Sequence, residues 1–331
     1  MIDILKPNMK RFLTYALLLA GLSVSATSCG GNTNSANATN GSNSFSNAAE
    51  SGSATANSGS SVSTDSKSTA GNNSIAAGNP AVPADSENNE NSTKEIGKPV
   101  KAKMLKAVVK EKFPHDKYAY TQGLFFENGV LYESCGQYGQ SSLRSVDLKT
   151  GKVLSKSNLD SKYFAEGSVI FGGNLYLLTW REQICFVYEP SSFKKVGELR
   201  YSGEGWGLTT DGKELIMSNG SATISFLDPM TFMENRRINV TLNGKRVDYI
   251  NELEYINGEI WANVYLEDYI VTIDPGSGCI TSVINCSDVY PAAVRSAHAD
   301  VLNGIAYNKA DGSIYITGKY WPHLYKITVS E

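Results

Sequence analysis

Histidine and cysteine are scarce in this chain, and charge of either sign is not in excess. The three histidines are far apart in the sequence, and the five cysteines form no CxxC pair. Structural zinc sites usually take closely spaced cysteine and histidine ligands, so we predict no metal site and no cofactor. Lys and Arg number 30 against 33 Asp and Glu, and this balance gives no reason to expect a nucleic-acid partner.

The N terminus carries a targeting signal. Residues 12–24, "FLTYALLLAGLSV", are apolar and follow three basic residues. The run is too short to span a bilayer comfortably and suits a cleaved secretory signal. The sequence "SATSC" then ends at Cys29 and resembles a bacterial lipobox, with Ala26 where Leu is usual.

We therefore expect residues 1–29 to be a lipoprotein-type signal peptide that ends at Cys29. Lipidation of Cys29 would anchor the exported protein to a membrane of the bacterial cell envelope, on the periplasmic or the surface side, without a spanning helix. An ordinary signal peptide is the alternative.

Residues 30–100 are rich in Ser, Asn, Gly and Ala, and such a segment buries too little apolar surface to fold. It is predicted to be a disordered tether.

The four remaining cysteines leave disulfide formation open. Cys279 and Cys286 lie on one predicted strand, "CITSVINC", where seven residues at about 3.3 Å each put them beyond disulfide reach. A bond between Cys135 and Cys185 is permitted in an exported protein, and the sequence does not decide it.

The domain from residue 101 to 331 contains five repeats, each with two strand-like runs around a glycine-containing turn. In four of them, nine residues separate the start of the first run from an apolar position in the second, and in the fifth the separation is eleven. The five hairpins read "TQGLFFENGVLYESCG", "AEGSVIFGGNLYLLTW", "GWGLTTDGKELIMSNG", "NELEYINGEIWANVY" and "LNGIAYNKADGSIYITGK".

Further strands with turn signals such as "LDP" and "IDP" follow each hairpin, which gives about four strands per repeat. This pattern is typical of β-propeller blades, and we predict an all-β, five-bladed β-propeller. The last repeat stops after three strands. The segment "KMLKAVVKEKFPH" at the start of the domain could supply its outer strand.

In a propeller, equivalent residues of the repeats converge at one end of the axis. The residues at the start of the first strand of each repeat form one ring, and the residues at the end of the second strand form another. The two rings are Gln122, Glu166, Trp206, Asn251 and Asn303, then Gly136, Trp180, Gly220, Tyr265 and Lys319. Purely structural positions would carry similar residues, whereas these include an acid, a base, two tryptophans and three amides. We therefore predict a functional pocket there.

The motifs "HDKYAYTQGL", "AEGS", "GEGWGL", "NELEYINGEIWAN" and "LNGIAY…ITGKYWPHLYKI" resemble the glutamine cyclotransferase family, the plant and bacterial type of glutaminyl-peptide cyclotransferase. The resemblance covers about residues 110–328. It implies a five-bladed propeller that converts the N-terminal glutamine of peptides or proteins into pyroglutamate, with release of ammonia and without a catalytic metal.

The resemblance also implies residue roles. Glu166 matches the family's acid/base glutamate. Tyr120 and Tyr265 stand where the family often has Phe and Trp, and both keep an aromatic wall. The positions that match the family's pocket residues are Gln122, Trp180, Trp206, Asn251 and Lys319.

Other readings of the same residues remain. Many propellers are non-catalytic binding modules, and a fold does not imply a function. Another enzyme class or a structural role in the envelope is less favoured, since no nucleophile pair or metal cluster is visible. Glu204 is expected to brace its loop by hydrogen bonding, and Glu252, Trp261 and Trp321 are expected to be structural. A monomer is the default.

Overall fold

The computed structural model describes residues 101–331. The predicted signal peptide at 1–29, its lipidation site Cys29 and the tether at 30–100 lie outside the described residues. The described part is built of strands and turns, which confirms the all-β prediction. Within it, no helix is long and apolar enough to cross a membrane.

Most strands form antiparallel units of four, which we call modules 1 to 5 in chain order. The first three modules are separate four-stranded sheets. Module 1 contains β2 (Thr121–Glu127), β3 (Val130–Cys135), β4 (Ser142–Val146) and β5 (Val153–Asn158). Module 2 contains β6 (Ala165–Phe171), β7 (Asn174–Thr179), β8 (Ile184–Glu189) and β9 (Lys194–Arg200). Module 3 contains β10 (Leu208–Thr210), β11 (Leu215–Ser218), β12 (Thr223–Leu227) and β13 (Glu234–Asn239).

The last two modules share one eight-stranded sheet, and a small hairpin precedes them. The hairpin is β14 (Thr241–Leu242) with β15 (Lys245–Arg246). Module 4 contains β16 (Ile250–Ile256), β17 (Glu259–Val264), β18 (Tyr269–Ile273) and β19 (Ile280–Asn285). Module 5 contains β20 (Leu302–Asn308), β21 (Ser313–Gly318), β22 (His323–Ser330) and β1 (Lys103–Pro114).

Strand β1 completes module 5 from the other end of the described chain. It pairs antiparallel with β22, from Lys106 opposite Ser330 to Pro114 opposite His323. The prediction that this segment supplies the missing outer strand is confirmed. Strand β1 also pairs in parallel with β19, and this second pairing joins modules 4 and 5 into one sheet.

The first strands of the modules contact one another in a closed series: β2 with β6, β6 with β10, β10 with β16, β16 with β20, and β20 with β2. Apolar faces pack between neighbouring modules. Leu178 and Cys185 of module 2, for example, share a core cluster with Leu208 and Leu215 of module 3.

All four described cysteines are free. The disulfide left open between Cys135, in module 1, and Cys185, in module 2, is not formed.

Module 5 is held to module 4 by buried polar side chains as well. Glu252 accepts hydrogen bonds from the backbone N–H of Leu124 at 3.2 Å and of Ile305 at 2.9 Å. Glu254 accepts the N–H of Tyr307 at 2.9 Å. Buried N–H groups need such partners, and Glu252 thereby links three modules through one side chain. The structural role predicted for Glu252 is confirmed.

Glu254 should make stability depend on pH. Its burial, only partly offset by hydrogen bonds, raises the pKa of its carboxyl from 4.5 to about 8. The unfolded chain loses this proton near pH 4.5 and the folded chain near pH 8. The contribution of Glu254 to the free energy of unfolding is therefore most favourable below pH 4.5, and it declines as the pH rises to about 8.

We expect the melting temperature of the wild type to fall between pH 5 and pH 8 more steeply than that of Glu254→Gln, measured by thermal denaturation. The amide keeps an oxygen for the Tyr307 N–H and does not titrate. Glu198→Gln, at a surface position, should retain the wild-type slope. Equal slopes for the wild type and Glu254→Gln would contradict the assignment.

Candidate active site

The predicted site residues of the first strands lie at β-bulges. Irregular registers span Gln122 in β2, Glu166 in β6, Asn251 in β16 and Asn303 in β20. A bulge re-aims side chains and often occurs beside an active site. Glycine follows the ring residue in four repeats. A Cβ atom at Gly167 would lie 2.4 Å from the backbone nitrogen of Leu208, so glycine lets neighbouring first strands approach closely.

Glu166 is the buried acid of the candidate site. Its side chain is buried, with 3% of its surface exposed, and Lys319 beside it is equally buried at 3%. The Gln122 side chain acts on the carboxyl as a donor and lowers its pKa. One oxygen of Glu166, Oε2, has no hydrogen-bond partner among the described residues, and an unpartnered buried acceptor of this kind calls for an explanation.

Burial dominates the acid–base character of Glu166. Its desolvation raises the pKa of the carboxyl well above 4.5, and the positive charge of Lys319 and the Gln122 hydrogen bond oppose that rise. The negative charges of Glu204 and Glu182 add to it. A carboxyl with a raised pKa can both hold and release a proton near neutral pH, which is what a general acid–base group requires.

Aromatic rings and one lysine of the candidate site contact one another in series. The ring of Phe164 lies 5.5 Å from that of Trp180 and 6.1 Å from that of Tyr120. Lys319 Nζ then lies 4.6 Å from the Tyr120 ring and 5.2 Å from the Tyr265 ring. These are cation–π distances.

Trp206 and Glu204 complete this series of contacts. The rings of Tyr265 and Trp206 are 5.7 Å apart and perpendicular. Glu204 Oε2 accepts hydrogen bonds from both indoles, at 2.8 Å from Trp180 Nε1 and 3.0 Å from Trp206 Nε1. The bracing role predicted for Glu204 is confirmed. Glu204 thereby closes the series of contacts into a ring, which we call the aromatic belt. Its members are Trp180, Phe164, Tyr120, Lys319, Tyr265, Trp206 and Glu204.

Two glycines of the second ring make room for this belt. A Cβ atom at Gly136 would lie 2.2 Å from the Phe164 ring, and one at Gly220 would lie 2.5 Å from the Trp206 ring. Glycine at these two positions leaves the space that the Phe164 and Trp206 rings occupy. The small and large residues at equivalent positions of the repeats therefore fit together in one belt.

Asn251 and Asn303 contribute further buried acceptors. Asn251 Oδ1 and Asn303 Oδ1, like Glu166 Oε2, have no hydrogen-bond partner among the described residues. A ligand rich in N–H donors would satisfy such acceptors. No hydrogen bond joins the Asn251 side chain to Glu166 within residues 101–331, so the structure places Asn251 at the equivalent ring position without linking it directly to the carboxylate.

Two residues of the site were missed by the sequence analysis. Phe164 belongs to the belt, and its only signal was its place one residue before the "AEGS" motif. Asn303 was placed in the ring but not in the site, yet its Nδ2 lies 3.3 Å from Gln122 Oε1. Trp261 and Trp321 are buried in the core, as predicted. Within residues 101–331, no group of three His, Cys, Asp or Glu side chains could hold a metal ion.

The fold and site together define a class: an all-β protein with a closed series of inner strands and a buried carboxyl accompanied by a belt of aromatic rings. Comparison with known proteins gives the family. Residues 81–329 match the family model described as glutamine cyclotransferase. The match begins 20 residues before the predicted domain start at residue 101. The chain belongs to the glutamine cyclotransferase family.

Two relatives support this membership. The chain is 42% identical over 223 residues to the glutaminyl-peptide cyclotransferase of Arabidopsis thaliana, covering 66% of this chain and 70% of that protein. The crystal structure of Myxococcus xanthus glutaminyl cyclase superposes with a TM-score of 0.65 at 35% identity, covering 70% of this chain and 99% of that one.

Removal of Glu204 should loosen the aromatic belt. We expect Glu204→Ala to make Trp180 and Trp206 more accessible to acrylamide, because both indoles lose their acceptor, and to lower stability by about 1 kcal/mol, given its partial exposure. Tryptophan fluorescence quenching and thermal denaturation measure the two effects. Glu198→Ala, which loses only ion pairs with the exposed Lys195 and Arg200, should change neither, and unchanged quenching in Glu204→Ala would refute the bracing.

Proposed function

We propose that this protein is a glutaminyl-peptide cyclotransferase that converts the N-terminal glutamine of peptides or proteins into pyroglutamate. The relatives bear this name. The observation that carries the proposal is the Glu166 carboxyl, which is buried beside Lys319 inside the aromatic belt with one oxygen unpartnered among the described residues. We further propose that the five modules are the five blades of a β-propeller, since their first strands contact in a closed series.

The reaction is intramolecular. The α-amine of the N-terminal glutamine attacks the carbonyl carbon of its own side-chain amide, and a new C–N bond closes a five-membered ring. The bond from that carbon to the amide nitrogen then breaks, and ammonia leaves. Because both reacting groups belong to one residue, holding it in the cyclising conformer supplies much of the acceleration.

Glu166 is proposed to move the proton. The attacking amine must lose a proton and the leaving nitrogen must gain one, and a single carboxylate that reaches both nitrogens performs both transfers. Its raised pKa brings it closer to the ordinary range of an α-amine, about 7.7–8.0. No cofactor or metal is needed for this proton balance.

The other site residues are proposed to bind the substrate. The belt residues Trp180, Trp206, Tyr120 and Tyr265 would exclude water from the reacting atoms, which strengthens the local electrostatics. The polar residues that could stabilise the developing oxyanion or bind the first peptide group are Gln122, Asn251 and Lys319.

The proposal is tested with a soluble protein of residues 81–331, which contains the whole family match, and a peptide that begins with glutamine. We expect ammonia release and loss of the corresponding mass from the peptide in the wild type. Glu166→Gln should lower kcat by about a hundredfold to ten-thousandfold, because the amide cannot shuttle a proton. Chelator should leave the rate unchanged.

Glu182→Gln is the matched control. Glu182 also bears on Glu166 electrostatically, but its carboxylate accepts hydrogen bonds from Tyr138 and the Phe164 backbone. It should therefore retain turnover. If the folded wild type converts no glutamine-initiated peptide, the alternative of a non-catalytic propeller binding module replaces the proposal.

We also propose that the protein is exported and anchored through lipid on Cys29, and that it acts as a monomer on the periplasmic or surface side of the cell envelope. The basic and apolar stretches before Cys29 support this proposal. We expect the wild type in a bacterial host to fractionate with membranes and to incorporate radiolabelled palmitate. Cys29→Ser should abolish the labelling, and persistent membrane labelling of that variant would refute Cys29 as the lipidation site.

A further inference from the structure

One backbone carbonyl at the site fixes the orientation of two side-chain amides. Asn303 Nδ2 lies 2.9 Å from the carbonyl oxygen of Thr121. A carbonyl only accepts hydrogen bonds, so the Asn303 atom that faces it must be the amide nitrogen. The same nitrogen lies 3.3 Å from Gln122 Oε1, which must then be the oxygen of the second amide.

This orientation decides what Gln122 presents to Glu166. With its oxygen occupied by Asn303, the Gln122 amide has its N–H groups free for the carboxylate, and the Gln122 side chain lowers the pKa of Glu166, as a donor to a carboxylate does. Rotation of the amide by half a turn would place an oxygen against the carboxylate instead. Such side-chain amides have two nearly equivalent rotations when nothing holds them.

The side chain of Thr121 is itself held by a buried ion pair. The Thr121 hydroxyl donates to Glu133 at 2.8 Å, and His115 Nε2 lies 2.9 Å from the same carboxylate. His115 Nδ1 lies 2.7 Å from the Trp321 carbonyl. Both ring nitrogens face oxygens that accept, so His115 is an imidazolium. Burial opposes the charge of Glu133, yet His115 and its hydrogen bond hold the pKa of that carboxyl at about 2.

We infer that Asn303 is a positioning residue for Glu166, which it acts on through Gln122 by holding the N–H groups of that amide against the carboxylate. The inference rests on the proposed function, because the proton transfers at issue are those of Glu166. Within residues 101–331, the Asn303 side chain hydrogen-bonds to Thr121 and Gln122 and not to Glu166.

The consequence is a shift in the titration of Glu166. Donors to a carboxylate favour its charged form, so loss of the oriented Gln122 amide should raise the pKa of Glu166 further. The other charged and titratable groups that act on Glu166, or on which it acts, are Lys319, Glu204, Glu182, Tyr120, Tyr138, Tyr201 and Tyr265. None of them hydrogen-bonds to Asn303 in the described structure, so they remain in place when Asn303 is changed.

The test uses two substitutions that remove the Asn303 donor, Asn303→Asp and Asn303→Ala. The titration of Glu166 is followed by carbon-13 NMR of the glutamate carboxyls, with Glu166→Gln to assign the signal, and the pH dependence of kcat/KM is followed with a glutamine-initiated peptide. Both variants should move the Glu166 midpoint, and with it the acid limb of the rate profile, upward by about one pH unit.

Asn263→Asp provides the matched control. Asn263 is a fully buried amide of module 4 whose Oδ1 accepts the N–H of Gly304 at 2.9 Å. Aspartate keeps that bond and adds a carboxyl beside the same strand. It should leave the Glu166 midpoint at the wild-type value.

Three results would overturn the inference: no shift in either Asn303 variant, a shift in Asn303→Asp alone, or an equal shift in Asn263→Asp. The last two would show an effect of added buried charge rather than of amide orientation. If the wild type lacks turnover, the proposed function fails, whereas the NMR titration still decides whether Asn303 orients Gln122.

Discussion

The pairing of β1 with β22 is the interaction on which the rest of the molecule depends. It joins the two ends of the described chain in one sheet. Tyr120, in the turn between β1 and β2, meets Lys319, which lies about 200 residues further along the chain, with Lys319 Nζ 4.6 Å from the Tyr120 ring. The aromatic belt therefore draws on residues near both ends of the described chain.

Three buried glutamates show how environment assigns different roles to one side chain. Glu133 is paired with an imidazolium and stays charged. Glu254 accepts backbone and hydroxyl donors that only partly offset its burial. Glu166 has an oxygen with no partner among the described residues, and its pKa is raised most by desolvation. The first two serve the fold, and only Glu166 is left with capacity for a ligand.

The sequence was sufficient to predict the all-β class, the repeat and the strand that completes module 5, because hairpin spacing is a local property. It also indicated which ring positions differ. It could not reveal the bulges at Gln122 and Glu166, or the reach of Glu252 into two other modules, because these depend on how the strands approach one another. Phe164 was missed for the same reason: its role is visible only against Gly136 of the neighbouring module.

The direction of β1 sets which end of module 5 lies next to the site. Lys106 pairs with Ser330 near the end of β22, and Pro114 pairs with His323 at its start, next to the site. The chain thus enters module 5 from the end remote from the pocket and reaches the site only when β1 finishes. Lys103 and the aromatic belt therefore lie at opposite ends of module 5.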